Sequence, residues 1–190
     1  MKTFKLALCV GHNEKAKGAL GNAGMYEWDF NTQFVGDLKD LLESIYPVLE
    51  VEIFFREPIK SYTRQMLILN EQLEAFGSDL SIEFHFNASS SPASGHEVLY
   101  CKKSPKGRKY AKLLNSSFNK FLPNKDRGIK GVTKGDRGGK FVCLGREPRL
   151  ITEPFFAIEQ NKFLEDENYT ALLNSYVDFL TNFDEVMRMF

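Results

Sequence analysis

The sequence predicts an α/β domain, a mostly parallel sheet covered by helices on both faces. Short apolar runs alternate along the chain with longer segments of helical period. Gly11, Pro47 and Gly77 punctuate the first switches between them. The apolar fraction, 43% of 190 residues, suffices for one packed core, since a single core serves chains up to roughly 250 residues. Residues 1–190 therefore read as one domain.

The elements follow in order. Residues 4–10 (FKLALCV) form an apolar run stopped by Gly-His and read as a buried strand. Residues 27–45 place Phe30, Phe34, Leu38, Leu41, Leu42 and Ile45 at helical spacing, with Pro47 as the stop. Residues 50–55 read as a second strand. Residues 62–76 carry Tyr62, Met66, Leu69, Leu73 and Phe76 on one helical face, closed by Gly77. Residues 79–86 and 96–101 read as two more strands. A helix follows over about 106–121, with Tyr110, Leu113, Leu114, Ser117, Phe118 and Phe121 along one face. Residues 140–145 (KFVCLG) and 149–153 (RLITE) read as short strands. A last helix covers about 166–187.

Composition narrows the function. Formal net charge is zero, so nothing global points to nucleic acid or an anionic membrane as partner. No stretch nears the roughly 20 apolar residues of a membrane span. The first apolar run meets Gly11 and His12 where a signal peptide would carry a longer run and a cleavage site. Synthesis in the cytoplasm without a signal peptide is the expectation. Cys9, Cys101 and Cys143 are odd in number and widely spaced, which reads as buried free thiols in a reduced compartment.

Ligands of parallel sheets bind beyond the carboxyl ends of strands. His12 follows the first strand, His85 closes the third, Glu153 ends the last, and Glu27 opens the first helix after a glycine-rich loop. Each has an ordinary structural reading: a core imidazole, a loop histidine, an acid at a helix N-terminus, a partner for Arg146 or Arg149. Together they gather chemistry at one sheet edge. Two imidazoles and a carboxylate are a typical donor set for catalytic zinc, and a further carboxylate moves protons.

The ordered set VGH (Val10–His12), GALGNAGMYEWDFN (Gly18–Asn31), TRQMLILN (Thr63–Asn70), HFNA (His85–Ala88), SGHEV (Ser94–Val98) and PRLITEPFF (Pro148–Phe156) resembles the zinc-dependent N-acetylmuramoyl-L-alanine amidases of the amidase type 3 family, over about residues 4–160. The resemblance implies a twisted six-stranded sheet and cleavage of the amide between muramic acid and L-alanine. Its metal ligands fall on His12, Glu27 and His85, its zinc ion between them, and its catalytic glutamate on Glu153. Departures are Val-Gly-His-Asn for Pro-Gly-His-Gly, Glu83 where the family often has serine, and Pro154 after the catalytic glutamate.

Other residues take lesser roles. Asn87 orients His85, meets substrate or forms a turn. Glu97 reads as a partner for a ligating imidazole, and His96 as a surface residue. The basic, glycine-rich segment 124–140 reads either as a flexible loop or hairpin, or as a cleft wall where Arg127 and Lys130 meet substrate carboxylates. It lacks the aromatic residues of a nucleic-acid surface. Peptidoglycan is the expected partner, acted on after release by a holin or on lysis, with no separate wall-binding domain. A zinc peptidase of the stem peptides and a non-catalytic wall-binding domain are the competing readings.

Overall fold

The computed structural model describes residues 3–90 and 92–187. The chain runs through β1 (Phe4–Val10), α1 (Glu27–Ile45), β2 (Leu49–Phe55), α2 (Tyr62–Phe76), β3 (Leu80–Phe84), β4 (His96–Cys101), α3 (Pro105–Phe121), β5 (Asp126–Val132), α4 (Gly139–Val142), β6 (Arg149–Glu153), a 3-10 turn (Ala157–Glu159), α5 (Gln160–Phe163) and α6 (Asp166–Met187). The six strands form one sheet in the order β2-β1-β3-β6-β4-β5.

β2, β1, β3 and β6 run parallel. β4 is antiparallel to β6 and parallel to β5. This reversal matters for the site, because the start of β4 lies at the edge where β1, β3 and β6 end. In the register of that pair Glu97 stands opposite Glu153.

Alternation along β1 divides the core. Leu6, Leu8 and Val10 pack with α1, α3 and α6, through Phe30, Phe34, Phe118, Tyr176 and Phe179. Ala7 and Cys9 face α2 and α4, through Met66, Leu69, Leu73 and Phe141. Burial on both faces is why the strand reads as a continuous apolar run. Phe34 and Phe84 are both about fully buried, and each such side chain contributes roughly 1.5–3 kcal/mol. α2 opens on Ser61, whose side chain accepts from Arg64 N–H, and closes on Gly77 at φ 73°, the left-handed residue a helix stop favours.

Three expectations are corrected. Residues 140–145 do not form a strand. Gly138, at φ 75°, starts the short helix α4, and Phe141 and Val142 pack from it into the core. The sixth strand lies instead in the basic segment, as β5 on the sheet edge beside β4. Cys101 and Cys143 are joined by a disulfide, leaving Cys9 as a free, buried cysteine among the described residues, so the argument for a reduced folding environment falls. His96 is fully buried rather than superficial, its ring between Asn124 and Asn119 at 2.9 Å from each.

Candidate metal centre

His12 follows β1 directly and adopts φ 66°, a left-handed conformation unusual for a residue with a side chain. Gly11 before it touches β3 so closely that a Cβ there would lie 2.6 Å from His85 Nε2. Gly18, at φ 79°, leaves the room a Cβ would take from Glu27 Oε2 and the His12 ring, each at 2.6 Å. The loop from β1 to α1 is thus drawn over three polar side chains.

Glu27 lies at their centre, 2% exposed. Its Oε1 is 2.7 Å from His85 Nδ1 and accepts from Phe86 N–H at 3.2 Å. Its Oε2 is 3.1 Å from His12 Nε2 and accepts from Ala19 N–H at 3.2 Å. Burial alone would push this carboxyl up. Hydrogen bonds from His12 and His85, and their charge, hold it well below the usual carboxylate range.

One donor atom from each of His12, Glu27 and His85 lies within 4.8 Å of the others. No metal is present, so the fit rests on this chain's residues. Two imidazoles and a carboxylate are the donors a catalytic zinc takes, and both imidazoles line the cleft. The cleft has a volume of about 560 Å³ and holds His12, His85 and Glu153 together with Lys134, Arg137 and Lys140.

Glu153, at the end of β6, is 4% exposed. Burial and a hydrogen bond shared with Glu97 push its carboxyl up to about 7, against the pull of His85 and Arg137. The Arg137 guanidinium is 3.6 Å from Glu153 Oε1 but itself largely exposed. Arg149, offered by the sequence as a partner of Glu153, is taken by Glu147 and Asn70.

The lesser residues sort differently from their sequence reading. The ring nitrogens of His85 meet Glu27 and Glu83, not Glu97. Glu97 instead accepts from Asn87 at 2.9 Å and from Arg127 at 3.2 Å, and neighbours Glu153. Asn87 also carries a turn, its N–H on Phe155 O and its carbonyl taking Ala157 N–H. Arg127 is spent on Glu97 and the Phe156 ring. Lys130 sits on β5 opposite Leu99. The cationic cleft wall is formed by Lys134, Arg137 and Lys140 from the same segment. Arg56 went unnoticed in the sequence, and Glu83 was noted only as a departure from the family's usual serine. They form a buried ion pair against His85.

No described helix is long and apolar enough to cross a membrane. A family model described as N-acetylmuramoyl-L-alanine amidase matches residues 6–181. Curated protein sequences give no match to the chain. Among solved structures, the fold superposes on an N-acetylmuramoyl-L-alanine amidase from Clostridium difficile 630 with a TM-score of 0.78 at 19% identity, covering 96% of this chain and 97% of that one. It superposes on the catalytic domain of the CD27L endolysin, described as targeting Clostridia difficile, with a TM-score of 0.78 at 22% identity over 94% and 97%. The catalytic domain of CwlV, an N-acetylmuramoyl-L-alanine amidase from Bacillus (Paenibacillus) polymyxa var. colistinus, gives 0.77 at 17% identity over 96% and 99%. At these identities the likeness concerns the fold.

Proposed function

Because this chain belongs to the N-acetylmuramoyl-L-alanine amidase family, whose model spans residues 6–181, and is thereby a peptidoglycan amidase, we propose that it is zinc-dependent and cuts the amide between N-acetylmuramic acid and L-alanine. The observation that carries the metal reading is the convergence of His12, Glu27 and His85 within 4.8 Å, on the same cleft as Glu153.

His12, Glu27 and His85 hold the ion. Zinc bound there supplies Lewis acidity toward the scissile carbonyl and acidifies water to near neutrality. Glu153 takes a proton from the attacking water at a carboxylate oxygen. It returns that proton to the nitrogen of L-alanine as the carbon–nitrogen bond breaks. The products are a lactyl carboxylate on the glycan and a free amino group on the stem peptide. A base serves best when its pKa lies near the working pH, and the carboxyl of Glu153, raised to about 7, meets that condition. Lys134, Arg137 and Lys140 face the anionic stem peptide across the cleft.

Digestion of purified peptidoglycan followed by mass spectrometry tests the bond. Free N-terminal L-alanine should appear, no reducing sugar should form, and a chelator should stop the reaction. New reducing ends, or stem peptides cut internally with L-alanine still blocked, would assign another class of wall hydrolase.

A further inference from the structure

The ion pair of Arg56 and Glu83 lies outside the proposed donor set yet touches it. β3 carries Glu83 two residues before His85, so both side chains project from the same face. That face is covered by α2, and Glu83 is fully buried there. Arg56, just past β2, is 8% exposed and reaches across to it, with the Tyr62 ring 5.4 Å from its guanidinium. A carboxylate buried this deeply needs partners for each oxygen.

Those partners are unequally shared. Arg56 donates to Glu83 Oε1 through both Nε and Nη2, at 2.8 and 2.5 Å. Oε2 makes no hydrogen bond and is a buried acceptor awaiting a donor. It faces His85 Nε2 at 3.3 Å. The same ring nitrogen is 3.3 Å from Arg56 Nη2. For a neutral ring, the form that binds a metal, two hydrogen-bond patterns are therefore open.

In one, Nε2 carries a hydrogen and donates it to Oε2, leaving Nδ1 bare beside Glu27. In the other, Arg56 donates to a bare Nε2, and Nδ1 carries the hydrogen. The second pattern leaves Oε2 a buried acceptor with no donor. It also puts a hydrogen on the nitrogen that faces Glu27, the neighbouring donor of the proposed site. With a cation between Nδ1 and Glu27 Oε1, only the first pattern satisfies both ends of the ring and gives Glu83 Oε2 a donor.

We propose that Glu83 is a positioning residue of the metal centre, accepting from His85 Nε2–H so that Nδ1 is presented as the ligand, while Arg56 neutralises the buried carboxylate and saturates its other oxygen. The inference rests on the zinc reading above. A ligating imidazole whose other nitrogen is held by a carboxylate is fixed in tautomer and orientation, and losing such a partner typically weakens metal binding 10–100-fold.

The test is zinc affinity by competition with a chromogenic chelator, on wild type, Glu83→Gln and the double variant Glu83→Met/Arg56→Met. The double variant removes the acceptor and the cation together, so no stranded charge confuses the result. It should bind zinc roughly 10–100-fold more weakly, and Glu83→Gln, which keeps a neutral acceptor, should fall between it and wild type. Cooperative unfolding of each metal-free variant checks that the fold persists. Wild-type affinity in a folded double variant would overturn the proposal. A second measurement holds even if that variant fails to fold: long-range proton–nitrogen spectra of zinc-loaded wild type should place the His85 hydrogen on Nε2. A hydrogen on Nδ1, with zinc bound through Nε2, would overturn it as well. If wild type takes up no zinc, or His85→Ala keeps it all, the zinc reading itself fails and this inference falls with it.

Discussion

Two buried glutamates, Glu27 behind the cleft's histidines and Glu153 in its lining, are driven in opposite directions. Glu27 is surrounded by donors: two imidazoles and two backbone N–H groups converge on its two oxygens. Glu153 sits beside another carboxylate, Glu97, and the cation nearest to it is exposed to water. Burial pushes both carboxyls up. What decides the outcome is the company each keeps. A metal ligand has to be ionised at all working pH values, and a base has to exchange its proton near neutrality. The proposed ligand lies where β1, β3 and α1 meet, and the proposed base where β6 meets the reversed strand β4.

Exchanging the two residues' fates would break this comparison. Glu27→Ala should lose most bound zinc and essentially all activity, since three protein donors leave little redundancy. Glu153→Gln should keep its zinc and its fold and lose roughly 10²–10⁴-fold in kcat. Parallel metal analysis and kinetics decide it: equal zinc loss in both variants would make Glu153 a ligand, and an undiminished rate would dismiss it as the base.

Stability of the metal-free protein sharpens the same contrast. The Glu153 carboxyl rises from 4.5 to about 7 in the fold. A carboxyl raised in this way supports the fold while protonated, below its unfolded value, and that support is lost as pH climbs through 7. Glu153→Gln cannot ionise, so its Tm should exceed wild type by roughly 2–8 °C at about pH 8 and match it near about pH 4. Melting curves that show the same difference at both values would contradict the raised carboxyl.

A smaller effect should follow from Glu97. Its carboxylate raises Glu153 through a hydrogen bond and through charge. Glu97→Gln removes the charge and should move the acidic limb of kcat/KM down by about one pH unit. A limb that stays in place, or moves up, argues that Glu97 acts only through Asn87 and Arg127.

The smallest expected change lies at the cleft wall. Lys134→Ala and Lys140→Ala should raise KM a few-fold with little change in kcat, and the difference should shrink in high salt. Lys130→Ala, on β5 and outside the lining of the cleft, should behave as wild type on wall fragments. A larger KM effect from Lys130 than from Lys134 would return the substrate contact to β5.

Much of this arrangement was legible in the sequence. β1 is buried on both faces and so showed as an apolar run, and α1, α2, α3 and α6 showed their period clearly. His12, His85 and Glu153 were recognisable because polar residues at strand ends are out of keeping with the runs before them. β5 was missed because an edge strand half open to water carries charge, and because Gly128 and Gly131 look like loop residues. KFVCLG was misread because a short apolar run fits a strand or a buried helical turn equally well. Glu83 was hidden by the alternation of Ser81, Glu83 and His85, which looks like a solvent-facing stripe. A parallel sheet covered by helices on both faces has no such stripe, and that conflict was the signal available for a buried charge pair.

The disulfide from Cys101 to Cys143 has a consequence for how the molecule survives damage. It closes a covalent ring over 42 positions that takes in α3, β5, α4 and the cleft wall between them. Lys125, Arg127, Lys130, Lys134, Arg137 and Lys140 all lie inside that ring. A trypsin-like protease cutting after any one of them severs the backbone but releases no fragment. The nicked protein would migrate as an intact chain on a gel until a reductant is added. The cationic wall of the cleft is sutured to β4 by sulfur, independently of the peptide bonds that lead to it.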